Sequence, residues 1–267
     1  MKLFWCIVLL AVFAGCAHFT PRPISPAQSA AAFDKRSLDN PAFRQFLEKN
    51  LHRTFDAWPP PSWDFQTLSL AAFYYHPSLA VARAQWEGAE GGEKTAAQRP
   101  NPVLNANPGY SLNPTYLSPW LPTVTLDVPI ETMGKRGYRK AQARHLSESA
   151  RLNIATTAWK VRSNLRGSLI DYESAHEREV LLKEQVSIQQ GIVQSLLDRQ
   201  EEGEVSSAEV GLMKIALARA QLDLADARRL GVDARARVAD AIGIPLKALD
   251  GIELKYELST NLPAAAQ

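Results

Sequence analysis

Asp127, Glu131 and His145 are the residues that first suggest chemistry, because two carboxylates and an imidazole are donors that divalent ions accept. Their spacing argues against it. Asp127 falls on the polar side of an alternating segment and Glu131 at the exit of that segment. His145 lies roughly two or three turns into the helical pattern that follows. That separation is too great for one compact coordination shell, so no metal site is expected. Asp127 is read instead as a charge on a water-facing wall, in one row with Thr123 and Thr125. Glu131 is read as bonding back to the turn that contains Gly134, Lys135 and Arg136. No His pair has the spacing of a zinc motif, and there is no Ser or Cys nucleophile motif and no Gly-rich phosphate loop. No catalytic residue and no cofactor are expected.

A different chemistry is suggested near the N-terminus. Lys2 precedes an apolar run over residues 3–14, then Gly15 and Cys16. A basic start, a short apolar core and a small residue before the cut make an export signal over residues 1–15. The run is too short for a permanent membrane helix. Ala14-Gly15-Cys16 resembles a lipobox, which makes Cys16 the expected site of lipidation, and Ala17 rather than Asp after it points to the outer membrane. The chain has two cysteines, Cys6 and Cys16, so the remainder has no thiol for a disulfide or a Cys-based metal site. A net charge of +2 over 267 residues, with Lys and Arg interleaved among Glu and Asp, gives no concentrated basic face, so no nucleic-acid partner is expected.

The elements that must position these residues follow from periodicity. Residues 16–62 read as an irregular arm with Pro-rich stretches and one short helix beginning at Pro41. A helical pattern covers residues 63–98. Over residues 103–130 the period becomes two. Leu104, Ala106 and Tyr110, then Val124, Leu126, Val128 and Ile130, alternate with Asn105, Asn107, Thr123, Thr125 and Asp127. Such a pair suits a barrel wall with lipid on one face and water on the other, with Tyr116 and Trp120 at the interface. Residues 134–202 then read as one helix of about 100 Å. Its expected apolar seam includes Tyr138, Leu152, Trp159, Leu165, Leu169, Val186 and Val193. At the tip, Gly203 suits a left-handed helix end, and Ser206 with Glu209 fits a capping box that starts a return helix over residues 206–242. The expected fold class is mainly α with a small β part: a long antiparallel coiled-coil hairpin plus two strands of a transmembrane β-barrel.

Together these parts resemble the TolC-like outer-membrane efflux protein family over residues 63–250. The resemblance rests on Trp63-Asp64, His76-Pro77, Pro100-Asn101-Pro102, Glu131-Thr132-Met133-Gly134-Lys135-Arg136, Arg139, the tip Gly203-Glu204-Val205-Ser206, and Ala241-Ile242-Gly243-Ile244-Pro245. The cobalt-zinc-cadmium resistance branch is the nearer one. The family implies two such repeats per chain and a homotrimer whose strands close a barrel above a helical tunnel. Only the first repeat is expected here, as a truncated product with residues 251–267 as its tail rather than as a chain of which six copies would replace the trimer. The resemblance also implies that Gly203, Val205, Ser206 and Glu209 dock a periplasmic adaptor protein, which links the duct to an inner-membrane pump. The expected function is a passive, lipid-anchored exit duct for metal ions or small toxic compounds. The competing expectation is a periplasmic coiled-coil adaptor, which would flank the hairpin with lipoyl-like β halves.

Overall fold

The computed structural model describes residue 21, residues 23–110 and residues 119–256. Cys16, the expected leader over 1–15, Tyr116 and residues 257–267 lie outside the described residues. The chain divides into two compact units, the first ending at Arg36 and the second beginning at Ser37. In the first, helix α1 spans Pro26–Asp34 and starts at Ser25, whose hydroxyl accepts from the Gln28 amide.

The second unit begins with α2, Pro41–Leu51, capped by Asn40. A two-residue strand β1, Ser62–Trp63, precedes α3, Phe65–Tyr75, and α4, Pro77–Ala97. Strands β2, Val103–Tyr110, and β3, Trp120–Asp127, form an antiparallel ribbon. The 67-residue helix α5, Lys135–Glu201, then leads to α6, Ser207–Ile242, a short 3₁₀ turn and strand β4, Glu253–Leu254. At 1.5 Å per residue, α5 is about 100 Å long. Strand β4 pairs in parallel with β1, so that the two ends of this unit meet.

Two local differences from the sequence expectations have clear causes. The short helix expected at Pro41 forms, but it packs into the core rather than lying in a free arm. Phe43 and Leu47 of α2 are fully buried, and Phe43 stacks on Trp63 with ring centroids 6.1 Å apart. Helix spacing within Pro41–Leu51 brings both side chains to one face, and a neighbouring aromatic core holds them. The single helix expected over residues 63–98 is two helices. Proline disfavours the α region in the residue before it, and His76 is extended at φ −68°, ψ 124°. The His76 imidazole then accepts from the Ser78 amide at 3.3 Å and starts α4.

The main core sits where α2, α3, the middle of α5 and the end of α6 meet. Trp63, Leu68, Leu165, Leu169, Val238 and Ile242 are buried there. Gly243 closes α6 in the left-handed region at φ 86°. Its amide donates to Asp240 O and that of Ile244 to Ala239 O, the paired bonds of a Schellman end. A Cβ on Gly243 would stand 2.9 Å from the His76 Cα, so the end of α6 rests directly on the α3–α4 break.

Beyond this core the hairpin is held by small residues. Ala220, Ala227, Ala234 and Ala241, each seven residues from the next, are buried on α6. A heptad of alanines lets two helices approach closely along one seam. The seam expected from sequence is only partly the one that forms. Leu165, Leu169, Val186 and Val193 are buried, whereas Tyr138, Leu152 and Trp159 are exposed. Apolar residues on α5 therefore occupy more than one face, and the return helix covers one of them.

Candidate functional site

Three places along the second unit carry the candidate functional residues: the ribbon, its junction with α5, and the hairpin tip. In the ribbon, Asn107 lies opposite Thr123, Asn105 opposite Thr125, and Val103 opposite Asp127. Directly opposed residues of an antiparallel pair share a face, so Thr123, Thr125 and Asp127 form one row beside two asparagines. The other face carries Leu104 with Leu126, Ala106 with Val124, and Tyr110 with Trp120. Tyr110 and Trp120 meet edge to face at 5.1 Å. Leu104, Val124 and Leu126 are each more than 60% exposed, so nothing among the described residues covers the apolar face. The apolar row continues past the strand through Val128 and Ile130, which are also exposed.

At the junction, Met133 and Gly134 are both left-handed, at φ 56° and 73°. Gly134 is the N-cap of α5 and makes no side-chain cap. The Lys135 amide donates to Thr132 O at 3.3 Å. Arg136 does not engage Glu131. Its Nε donates to Ala97 O at 3.1 Å, across to the last turn of α4. Glu131 pairs with Arg139, Oε2 accepting from Nη2 at 3.0 Å and Oε1 from Nη1. Arg139 also donates to Ala96 O at 3.0 Å and to Gln98 O at 2.9 Å.

The cause lies in the end of α4. Its last carbonyls have no partner farther along the helix, and Pro100 and Pro102 that follow have no N–H to offer. Two guanidinium groups supply the missing donors and place positive charge at the negative end of the helix dipole. The sequence expectation that Glu131 bonds the turn itself is thus corrected, since its partner stands one helical turn later. Sequence reasoning named Arg139 but missed its role as the partner of Glu131 and of the α4 carbonyls. The available signal was a helix end followed by two prolines, together with an arginine in the first turns of the long helix α5.

The tip is a second Schellman end. Gly203 is left-handed at φ 80°, its amide donates to Gln200 O at 3.0 Å, and that of Glu204 donates to Arg199 O at 2.9 Å. Arg199 and Glu204 also form an ion pair at 3.1 Å. Ser206 then opens α6. Its hydroxyl accepts from the Glu209 amide at 3.3 Å, and its own amide donates to Glu209 Oε2 at 3.0 Å. The Ser206 amide, then its hydroxyl, hold the Glu209 carboxyl below the usual carboxylate range. Val205 and Val210 occupy the two positions of a hydrophobic staple; Val205 is half-buried and Val210 buried.

The structure does not bring Asp127, Glu131 and His145 together. Asp127 ends the ribbon, Glu131 is engaged by Arg139, and His145 lines a shallow cleft with Glu93, Lys140, Arg144 and Glu148. Among the described residues no group of three or more His, Cys, Asp or Glu is placed to hold a metal ion. No helix among them is long and apolar enough to cross a membrane.

The second unit thus combines a long antiparallel hairpin, an uncovered two-faced ribbon and a core at the hairpin's base. Residues 71–244 match the model of the outer membrane efflux protein family, and the chain belongs to that family. No curated protein matches the sequence. Solved channels share its fold. The outer membrane protein VceC from Vibrio cholerae superposes with a TM-score of 0.58 at 17% identity, over 71% of this chain and 49% of that one. The outer-membrane channel OprN gives 0.58 at 16% identity, over 87% and 52%. CusC gives 0.56 at 13% identity, over 86% and 52%. The chain thus spans about half the length of the channels it matches.

Proposed function

We propose that this chain is one repeat of a passive exit duct that carries metal ions or small toxic compounds across the periplasm and the outer membrane. The observation that carries the reading is the ribbon. One face is a row of Asn and Thr ending in Asp127, and the other is an uninterrupted apolar row from Leu104 and Leu126 to Tyr110 and Trp120. Eight paired positions extend about 26 Å, close to the thickness of a bilayer's hydrocarbon core. A two-strand ribbon has two unpaired edges and must find further strands to cross lipid. Those strands come from further repeats in a homo-oligomer, a trimer in relatives with two repeats per chain. Thr123, Thr125 and Asp127 then face the lumen.

The remaining assignments rest on this one. Cys16 anchors the processed chain to lipid after residues 1–15 are removed. The tip formed by Gly203, Val205, Ser206 and Glu209 meets a periplasmic adaptor, and the energy comes from an inner-membrane pump. The duct itself performs no catalysis. The adaptor expectation lacks a support it needs, because the described flank of the hairpin is helix and ribbon rather than a pair of lipoyl-like β halves.

Cysteine accessibility in cells tests the reading. In the outer-membrane fraction, Thr125→Cys is expected to react with a water-soluble thiol reagent and Val124→Cys to resist it. Equal reactivity at the two positions would remove the barrel wall and the duct with it.

A further inference from the structure

The junction between ribbon and hairpin carries groups that neither packing nor the proposed duct uses. Ile130 is 82% exposed, Met133 91% and Tyr138 78%, so three large apolar side chains project around one turn. They continue the apolar row of the ribbon, which reaches Ile130 without interruption. Four cations, Arg99, Lys135, Arg136 and Arg139, stand at the same turn. Arg136 and Arg139 are committed to the carbonyls of α4 and to Glu131. Lys135 and Arg99 are exposed and make no side-chain hydrogen bond or ion pair among the described residues; Arg99 shares a cleft with Pro100, Asn101 and Arg139. The cations farther along α5 differ, since Lys140 and Arg144 share a cleft with Glu93 and Glu148.

We infer that this junction is a lipid foot, in which Ile130, Met133 and Tyr138 enter the acyl boundary while Lys135 and Arg99 bind the phosphates of anionic glycerophospholipid. The inference rests on the barrel-wall reading, which brings the junction to the membrane surface. Apolar groups beside free cations match the two layers of a leaflet edge, hydrocarbon and then phosphate. A second copy of this chain is the poorer occupant. In a ring of identical repeats every junction stands at the same height, so Arg99 and Lys135 of one copy would approach the same cations of the next.

The experiment is flotation of the full-length chain with phosphatidylcholine vesicles, with and without phosphatidylglycerol. The wild type is expected to prefer the anionic vesicles, with a preference that fades as salt rises. At about 1 kcal/mol per cation near an anionic surface, Lys135→Gln with Arg99→Gln lowers partition into those vesicles about thirtyfold. Partition into neutral vesicles stays unchanged. Met133→Asp lowers partition into both. Equal wild-type flotation with the two vesicle types, or a preference that survives the paired substitution, overturns the lipid foot and leaves the duct standing. Flotation with neither vesicle overturns both. Met133→Asp that abolishes self-association but not flotation assigns the foot to a second copy and also overturns it.

Discussion

The base of the hairpin and its outer reaches solve the problem of apolar surface in opposite ways. At the base, Trp63, Phe43, Leu165, Leu169 and Ile242 are fully buried against one another within a single chain. Farther out, the hairpin has only a small cluster around Val186, Ala220 and Leu224, while Leu181, Leu212 and Leu222 stay exposed. The ribbon goes further still, with its whole apolar row uncovered. Burial inside one chain marks what holds together without a partner. Uncovered apolar surface in an ordered element marks what another molecule or a bilayer must cover. The folded base is therefore a platform, and the parts that would act in transport are those left incomplete.

The largest expected effect tests this division with one residue type at two places. Trp63→Ala opens a cavity in the closed core and is expected to cost about 3–5 kcal/mol in chemical denaturation. Trp159→Ala removes a side chain that is 67% exposed and should fall within about 0.5 kcal/mol for the dispersed chain. Comparable losses at both sites would mean that the outer face is already packed.

A pair of glycines sharpens the same contrast. Gly243→Ala meets both a left-handed backbone and the His76 Cα at 2.9 Å, so about 2–4 kcal/mol should be lost. At Gly203 a Cβ meets nothing within 4 Å, and only the left-handed conformation resists it, at about 1 kcal/mol. Thermal unfolding of the two variants should rank them in that order.

What was legible in the sequence follows the same boundary. The long helix was readable because sixty-odd residues without proline keep one period, and the tip because Gly203, Ser206 and Glu209 carry their own local bonding. The alternation that marks the ribbon was readable because Asn105, Thr123 and Thr125 on one face alternate with Leu104, Val124 and Leu126 on the other. The burial of Phe43 and Leu47 was not readable, since it depends on Trp63 and on contacts with α3 that no local pattern displays. The choice of seam on α5 was misread for a related reason. Apolar residues such as Trp159 and Leu165 look alike in a periodic pattern, and only the placement of the helices packed against α5 decides which is covered. The role of Arg139 escaped because its partners, Ala96 O and Gln98 O, lie some forty residues earlier and are backbone atoms that any residue would present.

Arg139 therefore offers the next test, at the border between the folded platform and the uncovered ribbon. Arg139→Ala removes donors from two α4 carbonyls and leaves Glu131 without its partner, which should cost about 1–2 kcal/mol. Arg139→Lys is expected to recover only part of this, because an ammonium cannot reproduce a fork that reaches Ala96, Gln98 and Glu131 together. Hydrogen exchange should place the loss in the last turn of α4 and the first turn of α5. A loss spread evenly through the base would mean that the junction and the core unfold as one.

The smallest expected effect lies at the tip and depends on pH. Because the Ser206 amide and hydroxyl hold the folded Glu209 carboxyl below its ordinary value of 4.5, the unfolded chain takes up the proton at a higher pH than the folded one. The stabilisation is therefore complete above the ordinary carboxylate range and is lost as pH falls through the lower, folded value. The Glu209 and Val210 amides should be protected from exchange at neutral pH and should open in acid, while the amides near Val238 and Ile242 at the base do not follow. Glu209→Gln keeps an oxygen to accept from the Ser206 amide but cannot titrate, so its first turn should exchange at a rate that acid leaves unchanged beyond the intrinsic chemistry. If that variant opened in acid alongside the wild type, the carboxylate of Glu209 would have no part in holding the tip, and its capping box would be a feature of geometry alone.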